Sequence, residues 1–232
     1  MELHRSLVLK TDAATQIVAT SAMKTYLQVD DSTDDTEIAE AIVSSRLAVE
    51  HYLGRSLINT TWNLWLDEWP MDKRGGAPPE GVYNLPIDAF DNKLDHIRIP
   101  RPPLVSVTSV KYYDTADSVT TFASSKYLVD TKSTPGRVVL NYGESWPTTL
   151  LRPANGIDVE FVAGYGTATT DVPDAILLGV KQMVKFNYRV MTGAYEAGET
   201  AVFESEKNKA GLTDFVEKLL APYRISRLGV AV

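Results

Sequence analysis

The sequence predicts an α+β protein: a helical scaffold that carries a β-rich segment, an antiparallel sheet or small sandwich, between its N-terminal and C-terminal helices. Three observations carry this expectation. Apolar residues recur at helical spacing near both ends, as Ile38, Ile42, Val49 and Leu53 and again as Ile176, Val180 and Val184. The period falls to two in the middle, where Trp62, Leu64 and Leu66 alternate with Thr61, Asn63 and Trp65. The order helices, strands, helices also lacks the strand–helix alternation of a doubly wound sheet. If the first and last helices share a core, the β segment projects from it. The expected division is an N-terminal arm and helices over 1–57, the β-rich insertion over 58–167, C-terminal helices packed on the N-terminal ones over 168–222, and a tail over 223–232.

Each element has its own signal. Residues 20–29 read as a short helix capped by Thr20 or Ser21, with Met23, Tyr26 and Leu27 on one side. The long helix begins at Asp34 and Glu37, carboxylates placed where first-turn amides and the positive dipole end favour them, and stops at Gly54, which tolerates the left-handed terminal position. Strand 61–66 is followed by a long loop over 70–94, where Gly75, Gly76, Pro78, Pro79 and Gly81 lie among charges. Short β segments follow at 97–99, 104–113, 127–130, 137–141 and 157–163. Pro100-Arg101-Pro102-Pro103 holds an extended backbone between the first two, and Pro135-Gly136 marks a turn between later ones. Pro173 opens a helix that reaches about Met191 with Ile176, Leu177, Val180, Met183, Val184 and Tyr188 inward. Residues 192–211 read as a loop. A last helix runs over 213–220, with Leu212, Phe215, Val216, Leu219 and Leu220 apolar, and Pro222 ends it.

Composition narrows the chemistry. With 44% hydrophobic and 23% charged residues among 232, the chain has an ordinary globular composition, and no stretch approaches a membrane-spanning apolar run. Met1–Lys10 lacks a secretory pattern, so a soluble protein that does not use that route is expected. The absence of cysteine excludes disulfides, thiolate catalysis and Cys-based metal sites. A net charge of −7 argues against a protein that grips nucleic acid over its whole surface.

Convergent catalytic groups are not evident. His4, His51 and His96 fall in three different elements, and neither an HExxH spacing nor a Ser-centred nucleophile elbow is present. Gly164-Tyr165-Gly166 lacks the spacing of phosphate-binding loops and reads as a turn into the next helix. No catalytic residue, metal ligand or cofactor is expected. The acids Asp34, Asp35, Glu37 and Glu40 form one acidic face of the long helix, suited to helix capping, a subunit contact or a channel lining. Trp62, Trp65, Trp69, Tyr112, Tyr113 and Tyr127 all lie in the β part, where alternate positions fill a core. After Glu217 the chain turns basic and alternates apolar with polar residues. Tyr223, Arg224, Ile225, Arg227, Leu228, Val230 and Val232 are therefore the candidates for docking onto a partner, with apolar side chains in pockets and arginines on carboxylates.

Several patterns in order resemble one family. They are Met23-Lys24-Thr25-Tyr26-Leu27 before the acids; Val49-Glu50-His51-Tyr52-Leu53-Gly54-Arg55-Ser56-Leu57 leading to Thr61-Trp62; Pro100-Arg101-Pro102-Pro103-Leu104 with Val107-Thr108-Ser109-Val110-Lys111-Tyr112-Tyr113-Asp114; Ala163-Gly164-Tyr165-Gly166 with Val172-Pro173-Asp174-Ala175-Ile176; and Leu220-Ala221-Pro222-Tyr223-Arg224. Over residues 18–226 the chain resembles the head-to-tail connector (adaptor, head completion) proteins of tailed bacteriophages and gene transfer agent particles. The resemblance implies a non-enzymatic subunit made in the host cytoplasm and placed in the virion neck. It implies a ring, commonly of twelve copies, docked on the portal protein, with a downstream stopper or tail-completion protein beneath. DNA passes through the channel without sequence-specific binding, no membrane is involved, and the C-terminal segment reaches into the portal. An acidic ring repels the duplex and lets it slide. The 70–94 and 192–211 segments depart from the plainest members.

Two other readings stay open at this point. One is a carbohydrate- or cell-surface-binding β module of a phage tail, using Trp65, Trp69 and Tyr113. The other is a hydrolase in which His51 or His96 meets two carboxylates.

Overall fold

A computed structural model of the chain describes residues 5–70, 96–192 and 212–225. The expected loops at 70–94 and 192–211 fall, apart from Pro70 and Thr192, outside the described residues. The protein is α+β. It divides into two compact units, one made of residues 5–10, 61–70, 96–100 and 104–162, and the other of 11–60, 101–103, 163–192 and 212–225.

The helical unit contains α1 (Thr20–Leu27), α2 (Asp35–Leu53), α3 (Asp174–Thr192) and α4 (Asp214–Leu220). The cap of α1 is Ala19, one residue earlier than expected, and no side chain satisfies its first amides. In α2, Asp35 and Glu37 occupy the first turn, and Gly54 at φ 67° ends the helix, where a side chain is strained. The Arg55 amide closes that turn on the Glu50 carbonyl at 3.2 Å. Thr213 caps α4, its hydroxyl accepting from the Val216 amide at 3.5 Å. The core is the set of residues that the helical spacing points inward. Ile38, Ile42, Val49 and Leu53 of α2 meet Ile176, Val180, Met183 and Val184 of α3, and Met23, Leu57, Leu212, Val216 and Leu220 complete it. Burying each such side chain contributes on the order of 2 kcal/mol. Phe215 is 57% exposed, because Leu212, Val216 and Leu220 already fill the inner face of the two-turn α4.

The β unit holds two sheets. The larger has strand order β1 (Arg5–Thr11), β2 (Thr60–Leu66), β8 (Ile157–Ala163), β4 (Leu104–Tyr113) and β5 (Val119–Phe122). The smaller has the order β3 (His96–Arg98), β7 (Arg137–Leu140) and β6 (Tyr127–Asp130). The β4–β5 pairing is antiparallel with Val110 opposite Phe122, and β7 lies antiparallel to both β3 and β6. The central β8 alternates Ile157, Val159 and Phe161 into the core. Its buried Asp158 is satisfied by Asn63 Nδ2 at 2.6 Å. The turn between β6 and β7 is organised by Asp130, whose carboxylate accepts from the Ser133 hydroxyl at 2.6 Å and Arg137 Nε at 2.9 Å. These contacts hold its pKa well below the usual carboxylate range.

Candidate functional site

The tail begins at the C-terminal end of α2, where several polar groups converge. Gly54 turns the chain so that Arg55, only 8% exposed, points its guanidinium inward. Arg55 Nε donates to the Tyr223 carbonyl at 2.6 Å. Burial raises the Tyr165 phenol's pKa, and the positive charge of Arg55 opposes part of that pull. Two residues on, the Ile225 amide donates to the Leu53 carbonyl at 3.1 Å, satisfying one of the orphan acceptors at the end of α2. Arg224 lies over the Tyr52 ring at 5.0 Å, and the Tyr52 hydroxyl donates to Glu217 at 3.4 Å. Residues 223–225 are thus clamped to α2. Of the expected docking residues, Tyr223, Arg224 and Ile225 stand in this clamp. Arg227, Leu228, Val230 and Val232 lie outside the described residues.

An ionic network centred on the buried Arg46 and Glu50 lies on the same helix. Arg46, 5% exposed, forks onto both Asp12 carboxylate oxygens at 2.9 and 3.0 Å and reaches Glu50 Oε2 at 3.4 Å. Glu50, 4% exposed, also accepts from the Leu57 amide at 2.8 Å. Burial raises the Glu50 pKa above its ordinary value, against the pull of that amide and of Arg46. Arg101, at φ 59°, donates to the Glu50 and Arg55 carbonyls at 3.3 and 3.5 Å and ties the proline-rich turn to the helix terminus. Gly164, at φ 148°, closes this region from another side. Its amide donates to the Pro103 carbonyl at 2.9 Å, and a Cβ there would stand 2.5 Å from the Asn59 nitrogen.

Two of the four acids on the acidic face of α2, Asp34 and Asp35, are engaged internally. Asp34 accepts a short hydrogen bond from the Tyr188 hydroxyl, and this bond pushes the phenol's pKa up to about 12. Asp35 pairs with Lys24 at 2.7 Å. Glu37 is half-buried and Glu40 is exposed.

The remaining candidates do not come together. His51 is exposed on α2 and His96 begins β3, next to Arg98 Nε at 3.5 Å; His4 lies outside the described residues. No group of three or more potential ligands for a metal ion exists among the described residues. No described helix is long and apolar enough to cross a membrane. The aromatics form two groups. Trp69, 5% exposed, stacks on Trp146 at 4.8 Å and meets Tyr112 and Phe122, while Phe122 stacks on Tyr127. Trp65 meets Tyr113, over which Arg152 sits at 4.0 Å. Trp69 thus fills an interior and presents no open face to a sugar ring.

Glu50, Tyr52, Arg55, Arg101 and Tyr165 stand in the sequence patterns given above with no role attached to them. The available signal was an arginine directly after the helix-ending glycine and another between prolines. Both are long cations placed where carbonyl groups are left without partners.

No family model matches the chain, and no curated protein matches it. Solved structures do. The neck of an empty gene transfer agent particle, computed with C6 symmetry, contains a chain with TM-score 0.68 and 17% identity, covering 98% of this chain and 100% of that one. A chain in the virion of the native particle gives TM-score 0.67 at 16% identity over 95% and 96%. The native neck, computed with C12 symmetry, gives 0.62 at 16% over 98% and 100%. At this identity the likeness is one of fold.

Proposed function

We propose that this chain is a structural head-to-tail connector subunit in the neck of a phage-like particle, forming a ring on the portal and acting without catalysis. The observation that carries the reading is that almost the whole chain shares its fold with chains from gene transfer agent particles, two of them in necks computed with C6 and C12 symmetry. In this reading the helices of 1–57 and 168–222 form the ring body. The β-rich 58–167 reaches neighbouring neck proteins, and DNA passes through an acidic channel that makes few phosphate contacts. A downstream stopper or tail-completion protein attaches beneath.

The clamp at Arg55 gives the tail a mechanism. A docking segment loses less entropy on binding when its root is already fixed, and the clamp fixes that root at Tyr223–Ile225. Electron microscopy of the purified chain mixed with its own particle's portal tests the proposal. A ring stacked on the portal is expected, and portal surfaces left bare at saturating protein refute it. Removing residues 226–232 leaves Tyr223–Ile225 in place, and is expected to weaken portal binding by about ten-fold or more, roughly 1.4 kcal/mol.

A further inference from the structure

The outward face of α2 and the groove between α3 and α4 have complementary chemistry. Glu40, Val43, Ser44, Leu47 and His51 recur at three- and four-residue spacing along α2, and all five are exposed. Val43 and Leu47, at 41% and 49% exposure, place an apolar ridge at the middle of this face, with an acid at one end. Such a ridge on a helix whose other faces are packed has nothing to gain from water.

The groove lies elsewhere on the same unit. α3 packs against both α2 and α4, and the side chains that α3 and α4 leave outward enclose an open groove of about 630 Å³. Its walls include Gln182, Lys185, Phe186, Arg189, Phe215 and Lys218. Phe215 supplies an exposed aromatic floor. Lys218 pairs with Asp214 at 3.2 Å, whereas Lys185 and Arg189 have no acidic partner among the described residues. The groove sets Phe186 and Phe215 beside the cations Lys185 and Arg189 and the Asp214–Lys218 pair, and the ridge sets Val43 and Leu47 beside Glu40.

We infer that the α2 ridge of one copy seats in the α3–α4 groove of the next, making the heterologous contact that builds the ring. This rests on the ring reading proposed above and names its contact surfaces. The two surfaces differ, so each subunit donates a ridge to one neighbour and a groove to the other, and the chain of contacts closes by rotation. The mode is an amphipathic helix in a groove, with Leu47 against Phe215 and Glu40 facing Lys185 and Arg189.

The cysteine-free sequence makes the test direct. Full-length Leu47→Cys and Phe215→Cys variants are oxidised separately and as a mixture. Disulfide dimers that need both variants present are expected, since even a short-lived contact is trapped. A mixture that yields no more dimer than either variant alone overturns the inference. Charge exchange supplies a second measurement: Glu40→Lys is expected to abolish oligomers in native mass spectrometry, and pairing it with Lys185→Glu in the same chain to restore them. Oligomers that survive Glu40→Lys, or that fail to return in the pair, count against the contact. If residues of the same chain filled the groove instead, Phe215→Asp would lower the melting temperature of the monomer, which also overturns it. Rings of the unmodified chain on portals without the mixed disulfide refute these surfaces alone. Portals that stay bare at saturating unmodified chain remove the ring reading with them.

Discussion

Replacing Arg55 with methionine keeps most of the aliphatic volume and removes the guanidinium that holds the tail root. In the folded chain that group donates to the Tyr223 carbonyl at 2.6 Å, at a position 8% exposed. A hydrogen bond to a charged donor contributes about 1.5–3 kcal/mol. Taking ~2 kcal/mol for the clamp, its loss raises the population of the locally opened tail root about 30-fold, since 1.4 kcal/mol is a factor of ten. The reporter is the Ile225 amide, which donates to the Leu53 carbonyl at 3.1 Å only while the root is closed. Hydrogen exchange by NMR in Arg55→Met is expected to be about 30-fold faster at Ile225 and little changed at Met183 and Val184, which open with the core. Equal acceleration at all three sites would mean that Arg55 supports the whole unit, and an unchanged rate at Ile225 would mean that it holds nothing. Either result refutes the clamp.

Two further substitutions probe its surroundings. Gly164→Ala places a Cβ 2.5 Å from a backbone nitrogen at φ 148°, so strain and overlap together are expected to cost on the order of 3 kcal/mol, read as a fall in the urea midpoint with unchanged slope. Glu50→Gln tests the buried carboxyl through pH. A pKa raised above the unfolded value of 4.5 means that the native state binds the proton more tightly, so Glu50 adds stability as pH falls toward 4.5 and loses it as pH rises through the folded pKa. The stability of the unmodified chain minus that of Glu50→Gln is therefore expected to grow from pH 7 to pH 4.5 in urea titrations. A difference that shrinks contradicts the assignment.

The sequence was legible wherever burial imposed a period. Ile38, Ile42, Val49 and Leu53 face inward because α2 is packed along much of its length, and Ile157, Val159 and Phe161 alternate because β8 lies at the centre of its sheet. The two strands that were missed, β1 and β5, are the edges of that sheet. Val8 and Leu9 stay exposed, and Val119, Thr120 and Thr121 do as well, so little burial writes a pattern into them. The clamp was hidden for a different reason. Arg55 and Tyr223 stand far apart in the chain, and a contact between a side chain and a distant backbone carbonyl leaves no spacing to read. Asp34 and Asp35 were placed at the start of α2, but their engagement with Tyr188 and Lys24 depends on helices meeting in space.

The division into two units carries a consequence for how such a gene changes over time. The backbone crosses from one unit to the other at 10/11, 60/61, 100/101, 103/104 and 162/163, so neither unit is a continuous stretch of sequence. A single recombination event cannot import one unit intact from another lineage. The short passage 101–103, which carries the arginine on α2's end, would be lost in any simple exchange of the β segment.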